Sequence, residues 1–210
     1  MIISITSLKG GVGKSTITQN LAVCFAHSGY KVCIVDTDTN RSSERWAVLR
    51  PEPFPHIPVF VQSDDSLSQS VKALNRDYEI VLIDGTPSLS KVTSKIIMLA
   101  DLVLIPILPS GLDIWATEQF IERYESAKEQ LEQDIPAYFI LNRYKPSTNF
   151  GKEFKSVLEE TKIPVISNHL KDRTAYIESV VQGIGVLEHK DEKAKMEISA
   201  LYNEIISLIK

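Results

Sequence analysis

Lys9-Gly10-Gly11-Val12-Gly13-Lys14-Ser15-Thr16 is the segment whose residue types and spacing speak most directly of chemistry. It follows an apolar run at 2–7 and opens a helical pattern at 14–28. Gly10, Gly11 and Gly13 let the backbone curl until several N–H groups point at one centre, which suits an anion. The helix that follows presents its positive end to the same place. Lys14 can neutralise β- and γ-phosphates there, and the Ser15 hydroxyl can join a Mg²⁺ shell. Gly13-Lys14-Ser15 fits the end of the G-x-x-x-x-G-K-[ST] phosphate-loop pattern, whereas Leu8 stands where its first glycine belongs. Motif and setting agree, and together they point to ATP and Mg²⁺.

Two acidic signals accompany the loop. Val35-Asp36-Thr37-Asp38 ends a second apolar run. Carboxylates at i and i+2 of a strand share one side, and at the carboxyl end of a parallel strand they face the ligand crevice. The alternative for Asp38 is a cap on the helix that starts near Arg41. Tyr78-Glu79-Ile80-Val81-Leu82-Ile83-Asp84 is a hydrophobic strand ending in Asp, the Walker B shape in which the carboxylate holds Mg²⁺.

The rest of the chain must position these groups. Apolar runs at 31–36, 57–61, 79–84, 102–106 and 136–142 read as short strands, with 57–61 at a sheet edge. Helical spacing at 41–50, 65–76, 90–99 and 112–132 separates them, and Pro51, Pro53, Pro55 and Pro58 force an extended loop. Short continuous apolar strands alternating with helices predict an α/β fold, a doubly wound, mostly parallel sheet with helices on both faces. Met196, Ile198, Leu201, Ile205 and Leu208 mark an amphipathic C-terminal helix. The 210 residues suit a single domain over 1–210.

Composition narrows the function. With 43% hydrophobic and 24% charged residues, the chain is an ordinary soluble globular sequence. No stretch reaches the ~18 apolar residues of a membrane span, and the first residues lack a signal-peptide pattern, so the expected location is cytoplasmic. Cys24 and Cys33 lie in apolar runs without metal spacing and read as core residues. A net charge of −4 means that any nucleic-acid binding must come from a local patch.

The lysine-bearing loop resembles the deviant Walker A motif of the ParA/MinD group of P-loop ATPases, and the resemblance runs from Met1 to about Glu188. It implies an ATP-hydrolysing homodimer with nucleotide sandwiched between protomers. Lys9 would then reach the partner's nucleotide and stabilise charge on the transferring phosphoryl group. Asp36 would act near Mg²⁺, and Asp38 would orient or activate the attacking water, although Thr39-Asn40 replaces the usual Pro-Gln. Gly85-Thr86-Pro87 resembles the flexible segment after the Walker B Asp, and Ile107 to Asp113 resembles a stretch that lines the dimer interface. Asn142 falls at the adenine-side position, where an amide offers a donor and an acceptor; the alternative is a satisfied strand-end Asn.

Within the group, several branches fit poorly. Glu197 and Glu204 against Lys210 do not make a basic, membrane-binding C-terminal helix. Cys24 and Cys33 do not supply the closely spaced pair of iron–sulfur carriers. Tyr202 is the one tyrosine of the last thirty residues, unlike the tyrosine-rich tail of kinase relatives, and 210 residues leave no room for the insertions of targeting ATPases. The chain resembles the short ParF-like plasmid partition ATPases that lack an N-terminal helix-turn-helix. That resemblance implies non-specific DNA binding by the ATP-bound dimer, a ParB-type centromere-binding adaptor that stimulates hydrolysis, polymers in some members, nucleoid association and no membrane. Candidate DNA contacts are Lys171, Arg173, Lys190, Lys193 and Lys195, which would touch phosphates without reading bases. Asp172, Glu178, Glu188, Asp191 and Glu192 lie among them, so a mixed solvated surface is the other reading. A cargo-positioning ATPase for a protein assembly, and a nucleotide-gated filament protein with little catalysis, are the competing functions.

Overall fold

The computed structural model describes residues 1–87, 91–145, 147 and 149–209. Six strands carry the apolar runs: β1 (Ile2–Ile5), β2 (Val32–Asp36), β3 (Val59–Val61), β4 (Ile80–Asp84), β5 (Leu102–Ile107) and β6 (Ala137–Leu141). Among the described residues, eight α-helices join and flank them: α1 (Lys14–His27), α2 (Ser42–Val48), α3 (Asp64–Asp77), α4 (Lys91–Leu99), α5 (Gly111–Leu131), α6 (Asn149–Glu159), α7 (Thr174–Val181) and α8 (Glu192–Leu208), with a 3-10 turn at Val186–Glu188. The sheet order is β3-β2-β4-β1-β5-β6, and every pairing is parallel. The expected edge strand is β3. The predicted first strand stops at Ile5, because Thr6 and Ser7 already belong to the loop that leads into the glycines. The first residue of the expected helix 90–99 lies outside the described residues.

Alternation along each strand sends side chains to two opposite cores. Ile3, Ile5, Ile34, Leu82 and Leu104 pack with α1, α2, α7 and α8 on one face. On the other, Ile2, Val35, Val81 and Ile83 meet α3 and α4, and Val103, Ile105, Phe139 and Leu141 meet α4, α5 and α6. Helix α8 is docked as its amphipathic pattern predicts: Ile198, Leu201 and Ile205 are buried, and Tyr202 meets Phe25 of α1 edge-on at 5.0 Å. Among the described residues, no helix is long and apolar enough to cross a membrane.

The end of α2 is tied to the chain after α7. The Trp46 indole donates to the Ile184 carbonyl at 3.1 Å, and Arg50 donates to the Gly183 carbonyl at 3.2 Å. Gly183 sits at φ +69°, and a Cβ on it would lie 2.4 Å from the Leu49 carbonyl carbon. Both the left-handed backbone and the contact with main chain exclude a side chain. Gly183→Ala should therefore lower stability by about 2–3 kcal/mol, measured as a shift of the urea midpoint with unchanged slope.

Candidate active site

The phosphate loop takes its shape from two left-handed glycines, Gly11 at φ 76° and Gly13 at φ 97°. Gly13 leads directly into α1, so the loop's N–H groups and the helix N-terminus address one space. A Cβ on Gly13 would lie 2.3 Å from Nδ2 of Asn142. Asn142, at the end of β6, uses that close approach: its Nδ2 donates to the Val12 carbonyl at 2.8 Å, while its Oδ1 accepts from the Arg143 N–H at 2.9 Å. Asn142 thus clamps the loop from behind. Asn142→Ala leaves the Val12 carbonyl without its donor, which costs about 1–3 kcal/mol where buried. The expected result is roughly tenfold weaker ATP binding, read by nucleotide titration, in a protein that still folds.

Lys14 is 6% exposed and folds back over the loop, donating from Nζ to the Lys9 carbonyl at 2.8 Å. Burial pushes its pKa below the ordinary lysine value, against the opposing pull of Asp84 and Asp38. Lys9 is half-buried, and its Nζ donates to the Ser110 hydroxyl, 3.3 Å away, at the start of α5. The two lysines of the motif therefore stand in different places, Lys14 inside the cradle and Lys9 on its α5 side. The side chains of Leu112 and Asp113, in the stretch expected at a dimer interface, lie outside the described side chains.

Strand register assembles the carboxylates. Asp84 stands opposite Ile5, the last residue before the loop, and on its other side opposite Asp36. Both aspartates are fully buried, yet they are held differently. Asp36 accepts from the Asp38 N–H at 3.1 Å on one oxygen, and from the N–H groups of Ser43 at 2.9 Å and Glu44 at 3.1 Å on the other. It caps the first turn of α2, so the capping role weighed for Asp38 falls to Asp36. Asp38 is half-buried and turns its Oδ1 to the Asn40 N–H at 2.9 Å, and its charge acts on Lys14.

Asp84 accepts from the Ser43 hydroxyl at 2.7 Å on Oδ2, whereas its Oδ1 is buried with no hydrogen-bond partner. Burial, and then the Asp36 charge, push its pKa up to about 7, with Ser43, Ser15 and Lys14 pulling the other way. A buried carboxylate oxygen without a partner, next to the Ser15 hydroxyl and the phosphate cradle, fits a cation such as Mg²⁺. That ion is usually held by one or two protein oxygens together with phosphates and water. Among the described residues no three His, Cys, Asp or Glu side chains converge on one point. Ser15 and Asp84 would hold Mg²⁺, which would supply neutralisation of phosphate charge, Lys14 would draw charge from the terminal phosphate, and Asp38 has the exposure to meet a water.

A cleft of about 230 Å³ continues from the loop, lined by Thr16 and Ile17 of α1, Asn142, Arg143, Lys171, Arg173 and the apolar face of α7. Its mixture of apolar wall and polar rim beside Asn142 suits a base ring. This placement changes the setting of two proposed DNA contacts. Arg173 donates to Glu197 at 2.6 and 3.0 Å, and Lys171 lies 4.0 Å from the same carboxylate. Lys195 pairs with Glu192 at 2.7 Å, while Lys190 and Lys193 are exposed. Sequence reasoning missed Ser43 and Gln19, which meet inside the site at 3.3 Å. Neither belongs to a recognisable spacing.

Comparison with known proteins agrees with this geometry. The CobQ/CobB/MinD/ParA nucleotide binding domain family matches residues 3–186. Maintenance of carboxysome distribution protein A from Halothiobacillus neapolitanus is 30% identical over 208 residues, covering 97% of this chain and 95% of the relative. Protein ParA from Rhizobium radiobacter is 29% identical, covering 83% of this chain and 80% of the relative. Among solved structures, the septum site-determining protein MinD of Pyrococcus horikoshii, complexed with Mg-ADP, superposes with a TM-score of 0.75 at 22% identity, over 99% of this chain and 96% of that one. With the phosphate loop and the buried lysine in place, the chain belongs to the CobQ/CobB/MinD/ParA nucleotide-binding family, as a ParA/MinD-type ATPase.

Proposed function

We propose that this ATPase positions a protein assembly in the cell. ATP closes a homodimer in which Lys9 leaves Ser110 and reaches the partner's nucleotide. Partner-stimulated hydrolysis, with water oriented by Asp38, opens the dimer again. The observation that carries the reading is the end-to-end similarity to a carboxysome distribution protein, over 97% of this chain and 95% of the relative. The surface charge agrees with it: Arg173 and Lys195 are spent on Glu197 and Glu192, so less of the expected basic patch is open to phosphates. DNA partition with a ParB-type adaptor is the second reading, favoured by the ParA relative at 29% identity and by the exposed Lys190 and Lys193.

The test is a deletion in the native host, with tagged protein bodies and plasmid retention followed together. Clustered or unevenly inherited bodies with stable plasmids support the first reading. Plasmid loss with evenly spaced bodies overturns it in favour of partition.

A further inference from the structure

We propose that Ser43 is a positioning residue for Asp84, and that it fixes which carboxylate oxygen is offered to Mg²⁺. The proposal rests on the reading of Asp84 as the metal-holding carboxylate. Ser43 is fully buried, on the first turn of α2, and is bonded to three elements of the site. Its hydroxyl donates to Asp84 Oδ2 at 2.7 Å and lies 3.3 Å from the Gln19 amide of α1, which donates to it. Its backbone N–H donates to Asp36 Oδ2 at 2.9 Å. A hydroxyl has a single proton to give, and here the Gln19 donor takes up an acceptor lone pair while that proton goes to Asp84. With Oδ2 held in this way, Oδ1 is the oxygen left without a partner in the crevice.

Without the hydroxyl, the carboxylate loses the contact that sets its rotation. Partners that orient a metal-holding carboxylate commonly contribute 10–100-fold to metal affinity. The fold does not depend on this side chain. Asp36 caps α2 through the backbone N–H groups of Ser43 and Glu44, and Trp46 anchors the helix to Ile184. Ser43→Ala should therefore fold, and Ser43→Cys, which keeps the side chain's shape with a much weaker donor, serves as a second variant.

The readout is the melting temperature of the ADP-bound protein as Mg²⁺ is titrated, alongside the Mg²⁺ concentration that gives half-maximal ATP turnover. Both variants should need about 10–100-fold more Mg²⁺ in each measurement, with ADP affinity in the absence of metal unchanged. A variant that melts lower at every Mg²⁺ concentration without a displaced midpoint overturns the proposal and leaves Ser43 a packing residue. Asp84→Asn is run beside them. If that change also leaves the midpoint in place, the assignment of Asp84 to the metal fails instead.

Discussion

Lys14→Ala should cut ATP turnover by roughly two to three orders of magnitude, the loss typical of removing one preorganised charge partner of a transition state. The geometry gives the reason. Lys14 is almost wholly removed from water, its ammonium rests on the Lys9 carbonyl, and Asp84 and Asp38 are the charges that act on it. Desolvation has lowered its pKa, so the cradle already bears the cost of a poorly solvated cation. A terminal phosphate entering the loop adds its negative charge to those of Asp84 and Asp38. Removing Lys14 also relieves that desolvation, so the nucleotide-free variant should melt within a few degrees of the parent. What it should lose is the stabilisation by ATP, about 2.7 kcal/mol at a ligand concentration one hundred times Kd. Turnover at the parent's rate would exclude Lys14 as the phosphate lysine.

This chemistry was legible in the sequence because it is local. Three glycines, a lysine and a serine within eight residues need only a strand before them and a helix after them, and both were visible as apolar patterns. Asp84 was legible for a similar reason, as the end of a strand. What holds these groups was not legible, since it depends on strand order. Only the sequence β2-β4-β1 puts Asp36, Asp84 and Ile5 on neighbouring strands, and only then does Ser43 meet Asp84, forty-one positions along the chain. Helix α6 was missed although its signal is in the sequence, where Phe150, Phe154, Val157 and Leu158 recur at helical spacing. The basic residues after Leu170 read in sequence either as phosphate contacts or as part of a mixed solvated surface. Folding instead turns Arg173 toward Glu197 of α8, twenty-four residues away.

Glu188 is the sharpest departure from its sequence reading, and the basis of the second large prediction. Among the surrounding charges it looked solvated, yet its side chain is 1% exposed. It receives a bidentate Arg50 at 2.6 and 3.0 Å, the Gly185 N–H at 3.0 Å and the His27 ring at 2.8 Å. Arg50 is itself 5% exposed and lies over the Trp46 and Phe54 rings. Glu188→Gln keeps the shape but leaves Arg50 buried without a counter-charge, which commonly costs 3–5 kcal/mol. At about 2–4 °C per kcal/mol for a chain of this size, the melting temperature should fall by roughly 6–20 °C. Burial alone would raise the Glu188 pKa, but the Arg50 guanidinium, the Gly185 N–H and His27 outweigh it and hold it below the ordinary carboxylate value. A depressed folded pKa stabilises the protein above the unfolded pKa of about 4.3. That contribution fades as pH falls through the folded value, so the parent should lose stability steeply under acid, whereas Glu188→Gln should lose less over the same range. Parallel acid titrations of the two proteins would exclude the charge at Glu188 as the source, and would place the stabilisation in the packing of Trp46 and Arg50 instead.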